Sequence, residues 1–429
     1  MDYNIVIREK FFLPVEIGSR AFTKLFGKEM EMMKTAKASF MPVWSFLVSA
    51  IPIVLTVSIF LPYYVTKTVV YLIAGLVVCS RELRERVFDN PWASWLVMPM
   101  LIPFYVAAFY HNYNGIREMA LLLAAVICAM YLRSIMTREL FGRLLHIACL
   151  CSIACAGVAV GQKVLMWSEN PFFRPESMFF NANYYGTMAV FMVLVGTYQI
   201  LNHVRFRWVY LVTVFANLLG LYLCGSMSSL ATMIISVMAM LLMFRRKKLV
   251  IIGAFLVLAG GILVMLVPEL YPRLGDVEDT FGSRVTIWST ALKGIVETPL
   301  FGRGPKAYPL AYAQFGGYDT YHCHNLLLDT LLNFGIVGAG FLGGFAIFQA
   351  RQLYLRYKSY ICREQCILIA AVSLAVLVHG ITDVTVFWIQ TGMLFLILFS
   401  ASGIQPAWRT IPRRLTVPGM LSMPSPFLR

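Results

Sequence analysis

The sequence predicts an all-α polytopic membrane protein. It has about twelve transmembrane helices and one large external loop, containing short helices, between spans 9 and 10. Three observations predict it. Of the 429 residues, 59% are hydrophobic and 13% charged, with a mean hydropathy of +0.73. A water-soluble domain has too little polar surface to cover that much apolar material. Apolar runs also recur from residue 41 to about 401, and most approach the length a helix needs to cross a bilayer. Finally, residues 268–325 form the longest break between those runs.

Residues 1–40 are mixed. Phe22, Leu25, Phe26, Met30 and Met33 recur at helical spacing beside Lys24, Lys28, Lys34 and Lys37. That pattern suits an amphipathic helix on the inner membrane surface. An early apolar core with a cleavage site is missing, which argues against a signal peptide. The spans then centre on 43–61, 64–79, 92–109, 117–132, 144–162, 184–201, 207–223, 226–244, 248–267, 326–348, 365–383 and 385–401. They make 41–401 the membrane domain and 402–429 a basic tail.

Charge orients the chain. The net charge is +15, but its placement points to a membrane and not to nucleic acid. With the N-terminus inside, the inner segments hold 27 of the 36 lysines and arginines, including RELRER, RRKK and PRR. This is a positive-inside pattern. It places both termini in the cytoplasm, the 268–325 loop outside, and a basic inner face against anionic lipids. Within the loop, five basic and six acidic residues nearly cancel. No C-x-x-C occurs among the nine cysteines, so neither a disulfide framework nor a zinc site is indicated.

Inside the loop, Ser283 is expected to cap a helix running to about Val296 and stopped by Thr298-Pro299. Phe301-Gly-Arg-Gly-Pro305 reads as a turn. A second helix is expected over about 305–315, ending at Gly316-Gly317, and Asn325 should cap the tenth span.

Ionisable groups within spans are costly and so are candidates for function. Asp329 lies one turn into the tenth span, and His379 and Asp383 lie near the outer end of the eleventh. Those spans run in opposite directions, so all three groups fall at similar depth, below His322 and His324. Asp329 and Asp383 are placed to orient either His324 or His379. His324 precedes a membrane helix, and histidine is the side chain most often used as a general base. Arg284 is expected at a helix start, where a guanidinium and free backbone N–H groups suit a diphosphate. Taken alone, Asp383 is as often structural as functional, and Asp329, His379, His324 and Arg284 are more often structural.

Taken together, FGSRVTIW, TPLFGRGPKAY and HCHNLLLDTLLNFGIVG resemble the core signature of the O-antigen ligase family, which includes related polysaccharide polymerases. His379-Gly-Ile-Thr-Asp383 is similar to a later element of that family. Arg174 to Asn183 resembles an earlier one, with Ala182 in place of a proline. Where the family often has S-R-G-A, this chain has Ser226-Met227-Ser228-Ser229, so an expected diphosphate-binding arginine is Met227. The resemblance implies transfer of a glycan from undecaprenyl diphosphate to an acceptor hydroxyl, without metal or other cofactor, in the cytoplasmic membrane. His324 would be the base and Arg284 a catalytic cation. Arg174, Asn183, Arg303, Lys306 and His322 would bind substrate; Asn325, Asp329, His379 and Asp383 would support them. The partners would be a polyprenyl-diphosphate-linked glycan, a glycan, lipid or protein acceptor, and membrane lipids. The motifs do not separate ligase from polymerase.

Three other readings compete. A metal-dependent oligosaccharyltransferase would use the Asp276-Val-Glu-Asp279 cluster for a cation. Its class usually has acidic residues in the first external loop, and none occurs at 62–64. A transporter would usually show two six-span halves joined by a long inner linker, yet 202–207 is short. A non-catalytic assembly scaffold is the third.

Overall fold

The computed structural model describes residues 48–404, except 90–92, 94–95, 203–204, 272–274 and 276. The expected surface helix in 1–40 and the tail from 405 onward lie outside the described residues. Chain contacts divide the protein after Pro52, and all that follows concerns the unit beginning at Ile53.

Every described element is helical and no strand occurs among the described residues. The helices are α1 (Val48–Ser58), α2 (Tyr63–Cys79), α3 (Arg81–Phe88), α4 (Met98–Phe109), α5 (Tyr113–Ile135), α6 (Arg138–Met166), α7 (Ala182–Asn202), α8 (Arg207–Cys224), α9 (Met227–Met243), α10 (Lys247–Leu266), α11 (Val277–Glu297), α12 (Tyr308–Phe315), α13 (Leu326–Lys358), α14 (Arg363–His379) and α15 (Ile389–Gly403). Each expected span meets one of these, but six are long and apolar enough to cross a bilayer: α5, α6, α7, α8, α10 and α13. A seventh follows if α2 and α3, bent by 91° about Ser80, count together. Apart from α11 in the loop, the remaining helices have 17 residues or fewer. At about 1.5 Å per residue, the 17 residues of α9 or α14 fall short of a core about 30 Å thick.

α7 is the central helix. It packs on α8, α9, α14 and α15, and most of its residues are buried, from Tyr184 and Tyr185 to Leu194 and Val195. α10 is the opposite case, apolar all round with no buried residue, as expected of a helix facing lipid.

The loop departs from expectation at its first helix. α11 begins at Val277, six residues before Ser283. Ser283 is therefore no cap; its hydroxyl donates back to Thr280 O at 2.9 Å. A lone Gly282 costs a helix only about 1 kcal/mol, and no proline stands there to stop it. Arg284 consequently sits in the helix interior and not beside free N–H groups. The other features follow expectation. α12 ends at Gly316 and Gly317, both at positive φ. Asn325 caps α13, accepting from the N–H groups of Leu327 and Leu328 at 3.0 Å.

One device holds the loop down. α13 breaks at Gly335 (φ 65°, ψ −171°), which frees backbone groups on both sides of the break. The 299–307 segment takes them up. Ile336 N–H donates to Pro299 O at 2.8 Å and Val337 N–H to Leu300 O at 3.1 Å. In return, Arg303 N–H donates to Leu332 O and Gly304 N–H to Asn333 O, at 3.2 and 2.8 Å. Asn333 Oδ1 also accepts from Ala307 N–H at 3.0 Å. Over this clamp Ile287, Ala291, Tyr308, Ala311 and Leu332 close a small core of their own.

Candidate functional site

Asp383, three residues past the end of α14's His379–Gly380 terminus, is the centre of the site and is 2% exposed. Its position is fixed by backbone. Leu326 N–H donates to Gly380 O at 2.7 Å, and Asn325 Nδ2 donates to Ile381 O at 3.0 Å. The start of α13 is thus tied to the end of α14, and the residues just before α13 hang over Asp383. His324 Nδ1 lies 3.3 Å from Asp383 Oδ1, and His322 Nε2 lies 3.9 Å from it. Asn183 Nδ2 donates to Oδ2 at 3.0 Å, and Val384 N–H donates to Oδ1 at 2.8 Å. Such a set of donors is satisfied by a carboxylate, which accepts only.

The two histidines are partly open to solvent, at 18% and 24% side-chain exposure. Their rings meet edge to face, with centroids 4.2 Å apart. His324 has a left-handed backbone, φ 47°, which turns its N–H onto His322 Nδ1 at 3.3 Å. Its own Nε2 meets Thr320 Oγ1 at 3.3 Å, while Nδ1 faces Asp383 Oδ1 at 3.3 Å without good hydrogen-bond alignment. Burial pushes His322 down to about 4; Asp383 opposes this, and His324 and Lys306 add to it. His322 is thus neutral at neutral pH.

Arg174 and Asn183 belong to the same network. Arg174 Nη2 donates to Asn183 Oδ1 at 2.8 Å and Nε to Cys224 O at 2.7 Å. The second bond satisfies a carbonyl at the end of α8, where a cation is favourable.

Other expected residues are placed differently. Asp329 does not bond to either histidine ring. Its Oδ1 accepts from Cys323 N–H at 3.0 Å and its Oδ2 from Asn333 Nδ2 at 2.7 Å. It therefore fixes the backbone between the two histidines and acts on His324 through it. His379 is buried beneath, with Nε2 at 3.1 Å from Ser229 Oγ and 3.3 Å from Ser228 Oγ, and Nδ1 at 3.2 Å from Thr385 Oγ1. Arg284 lies near enough to act on His379 electrostatically. Arg303 is buried, pairs with Glu297 Oε2 at 2.5 Å and lies over the Tyr110 ring, so it is built into the loop and not held open for a ligand. Lys306 Nζ pairs with Glu118 Oε2 at 3.1 Å. Side chains at 276–278 of the acidic cluster lie outside the described residues.

Sequence reasoning missed Ser228, Ser229, Thr385 and Thr187, whose Oγ1 donates to Thr385 Oγ1 at 2.9 Å. Ser228 and Ser229 follow Met227 directly at the start of α9. They reach His379 because Gly186 on α7 lets α9 approach; a Cβ there would stand 2.7 Å from Ser229 Oγ. It also missed a possible metal-ligand set. Ring nitrogens of His322 and His324 and an oxygen of Asp383 lie within 4.8 Å of one another. Absence of C-x-x-C bears only on thiolate sites, and the usable signal was His-x-His with a buried carboxylate about sixty residues on.

No curated protein shows significant similarity to the chain. Residues 211–343 match the family described as O-antigen ligase. That stretch runs from α8 to the middle of α13 and carries Arg284, the Gly335 clamp and both loop histidines. Their partners Asn183 and Asp383 lie on either side of it and bond into the same site. Over those 133 residues, about a third of the chain, the protein is similar to the O-antigen ligase family.

Proposed function

We propose that the protein transfers a glycan from undecaprenyl diphosphate to an acceptor hydroxyl on the outer face of the cytoplasmic membrane, as a ligase in surface polysaccharide assembly. The match of residues 211–343 to the O-antigen ligase family supports an O-antigen ligase- or polymerase-type membrane glycosyltransferase in general. The positive-inside count supports the orientation, with the 268–325 loop outside and both termini in the cytoplasm.

The observation that carries the finer reading is His324 over the buried Asp383 carboxylate. A carboxylate at Nδ1 favours the tautomer with its proton there, leaving Nε2 as the base. Nε2 already faces a hydroxyl, that of Thr320, which the acceptor would displace. The acceptor oxygen loses its proton to Nε2 and bonds to the anomeric carbon; the bond from that carbon to the diphosphate oxygen breaks. Arg284 meets the charge that develops on the leaving diphosphate. Arg174, with two donors committed to Asn183 and Cys224 O, contributes as the holder of Asn183. Lys306 and His322 line the approach. The chemistry uses no cofactor.

A polymerase would use the same groups with another lipid-linked repeat as acceptor. A transporter or a scaffold has no need of a base held by a buried carboxylate. The test is deletion of the protein, profiling of surface polysaccharide, and complementation with His324→Ala and Arg284→Ala. Loss of mature polymer in both, at normal protein level, is expected. Normal polymer in both would overturn the assignment.

A further inference from the structure

We infer that His322, His324 and Asp383 form a binding site for a borderline divalent transition-metal ion of the Zn2+ type, and that an ion held there prevents His324 from acting as base. The second half rests on the proposed function; the first does not.

The geometry carries the first half. In a tetrahedral site with bonds of about 2.0–2.2 Å, ligand atoms stand about 3.3–3.5 Å apart. His324 Nδ1 and Asp383 Oδ1 are 3.3 Å apart, His322 Nε2 is 3.9 Å from the same oxygen, and the set closes within 4.8 Å. His324 Nδ1 is buried and faces Asp383 Oδ1 at 3.3 Å without good hydrogen-bond alignment, a contact that a shared metal ion would replace. Two ligands already have the outer partners that metal ligands need. His324 can donate from Nε2 to Thr320 Oγ1, and Asp383 Oδ2 is held by Asn183 Nδ2. Partial exposure of both imidazoles leaves an entry and an open coordination position. Two imidazoles and one carboxylate select zinc-like ions over Mg2+ or Ca2+, which prefer oxygen. One contact must yield: ligation through His322 Nε2 puts the proton on Nδ1, so the 3.3 Å contact from His324 N–H is given up.

Exclusion follows from tautomers. As a base, His324 carries its proton on Nδ1 and keeps Nε2 free. As a ligand through Nδ1, it must carry that proton on Nε2. The two states cannot coexist, and no redox step or co-reactant is involved.

The test uses the purified full chain in detergent, stripped with a chelator and titrated with Co2+ as the spectroscopic probe, then with Zn2+ in competition. One ion per chain is expected, with visible bands of a nitrogen and oxygen site and no thiolate charge-transfer band. His322→Ala and Asp383→Asn should each weaken binding at least tenfold, and His111→Ala should not. No binding below millimolar, a thiolate band, or equal binding by both site variants would overturn the site. Zn2+ should inhibit glycan transfer at the concentration that fills the site, and EDTA should restore it. Activity abolished by EDTA, or unchanged by saturating Zn2+, would overturn exclusion. Full activity of His324→Ala, with Co2+ binding lost in that variant and intact in the unaltered protein, would instead fault the proposed function and leave the metal site standing.

Discussion

Asn183 at the start of α7 donates through Nδ2 to Asp383 Oδ2 at 3.0 Å, across 200 residues of sequence. Asn183 is itself held by Arg174, so a three-residue relay positions the carboxylate beneath His324. Removing the middle member leaves Asp383 short of a donor in a buried place. A hydrogen bond to a charged group contributes about 1.5–3 kcal/mol, or ~10- to 150-fold in rate if all of it is used in the transition state. Asn183→Ala is expected to lose glycan transfer in that range. Arg174→Lys should lose part of it, because a lysine cannot reach Cys224 O and Asn183 with a fixed fork. Both should be read as transfer rates normalised to protein amount; an Asn183→Ala enzyme of normal rate would sever the relay from function.

Asp329 acts one step further out. Its two oxygens accept from Cys323 N–H and Asn333 Nδ2. Asp329→Asn preserves shape but replaces one acceptor with a donor, so one donor must face another. Leaving a buried group unsatisfied costs about 1–3 kcal/mol, enough to loosen the turn that carries both histidines. The expected sign is faster thiol labelling at Cys323, which is fully buried, followed by peptide mass spectrometry, with a parallel fall in transfer. Unchanged labelling would mean that the turn holds without Asp329.

Some of this was legible in the sequence because it depended on local chemistry. Asn325 caps α13 as an asparagine before an apolar run should, and Gly316-Gly317 ends α12. Asp383 and His379 stood out as ionisable groups in apolar surroundings. Other features depend on tertiary contacts that periodicity does not carry. The apolar pattern runs unbroken through Asn333-Phe-Gly-Ile-Val337, so nothing in it marks the break at Gly335 or its pairing with 299–307. Ser228 and Ser229 read only as neighbours of Met227, the place of a missing arginine, and only the approach of α7 and α9 brings them to His379. Arg303 read as a loop cation because Glu297 and Tyr110 are brought to it by the fold.

Gly335 tests the clamp. Its φ and ψ fall in a region essentially reserved for glycine, where another residue costs about 1–3 kcal/mol. An added Cβ would also overlap the carbonyl of Leu300, so the 299–307 segment would have to leave. Gly335→Ala should lower the midpoint of thermal unfolding in detergent by several degrees and lose transfer. Gly343→Ala, where an added Cβ meets nothing within 4 Å, should shift neither. Equal behaviour of the two variants would remove the clamp from the account of the fold.

Two arginines in the loop should fail in different ways. Arg303 is 6% exposed, bonded to Glu297 and packed on Tyr110. Truncation leaves a hole and frees a carboxylate that is nearly half exposed, so water limits the electrostatic part and about 1–2 kcal/mol of stability is expected to go. Arg303→Ala should therefore appear as less protein and a lower unfolding midpoint, with activity per folded molecule falling less than stability does. Arg284 is partly exposed within α11 and meets the diphosphate in the function proposed above. Arg284→Ala should fold normally and lose transfer, and Arg284→Lys should recover part of it, since a point charge keeps the attraction and loses the two-pronged geometry. The measurement is a pair of unfolding midpoints beside a pair of single-turnover rates. If Arg284→Ala destabilised the protein while Arg303→Ala lost only rate, the diphosphate contact would belong to Arg303, and the proposed approach of the donor along α11 would be wrong.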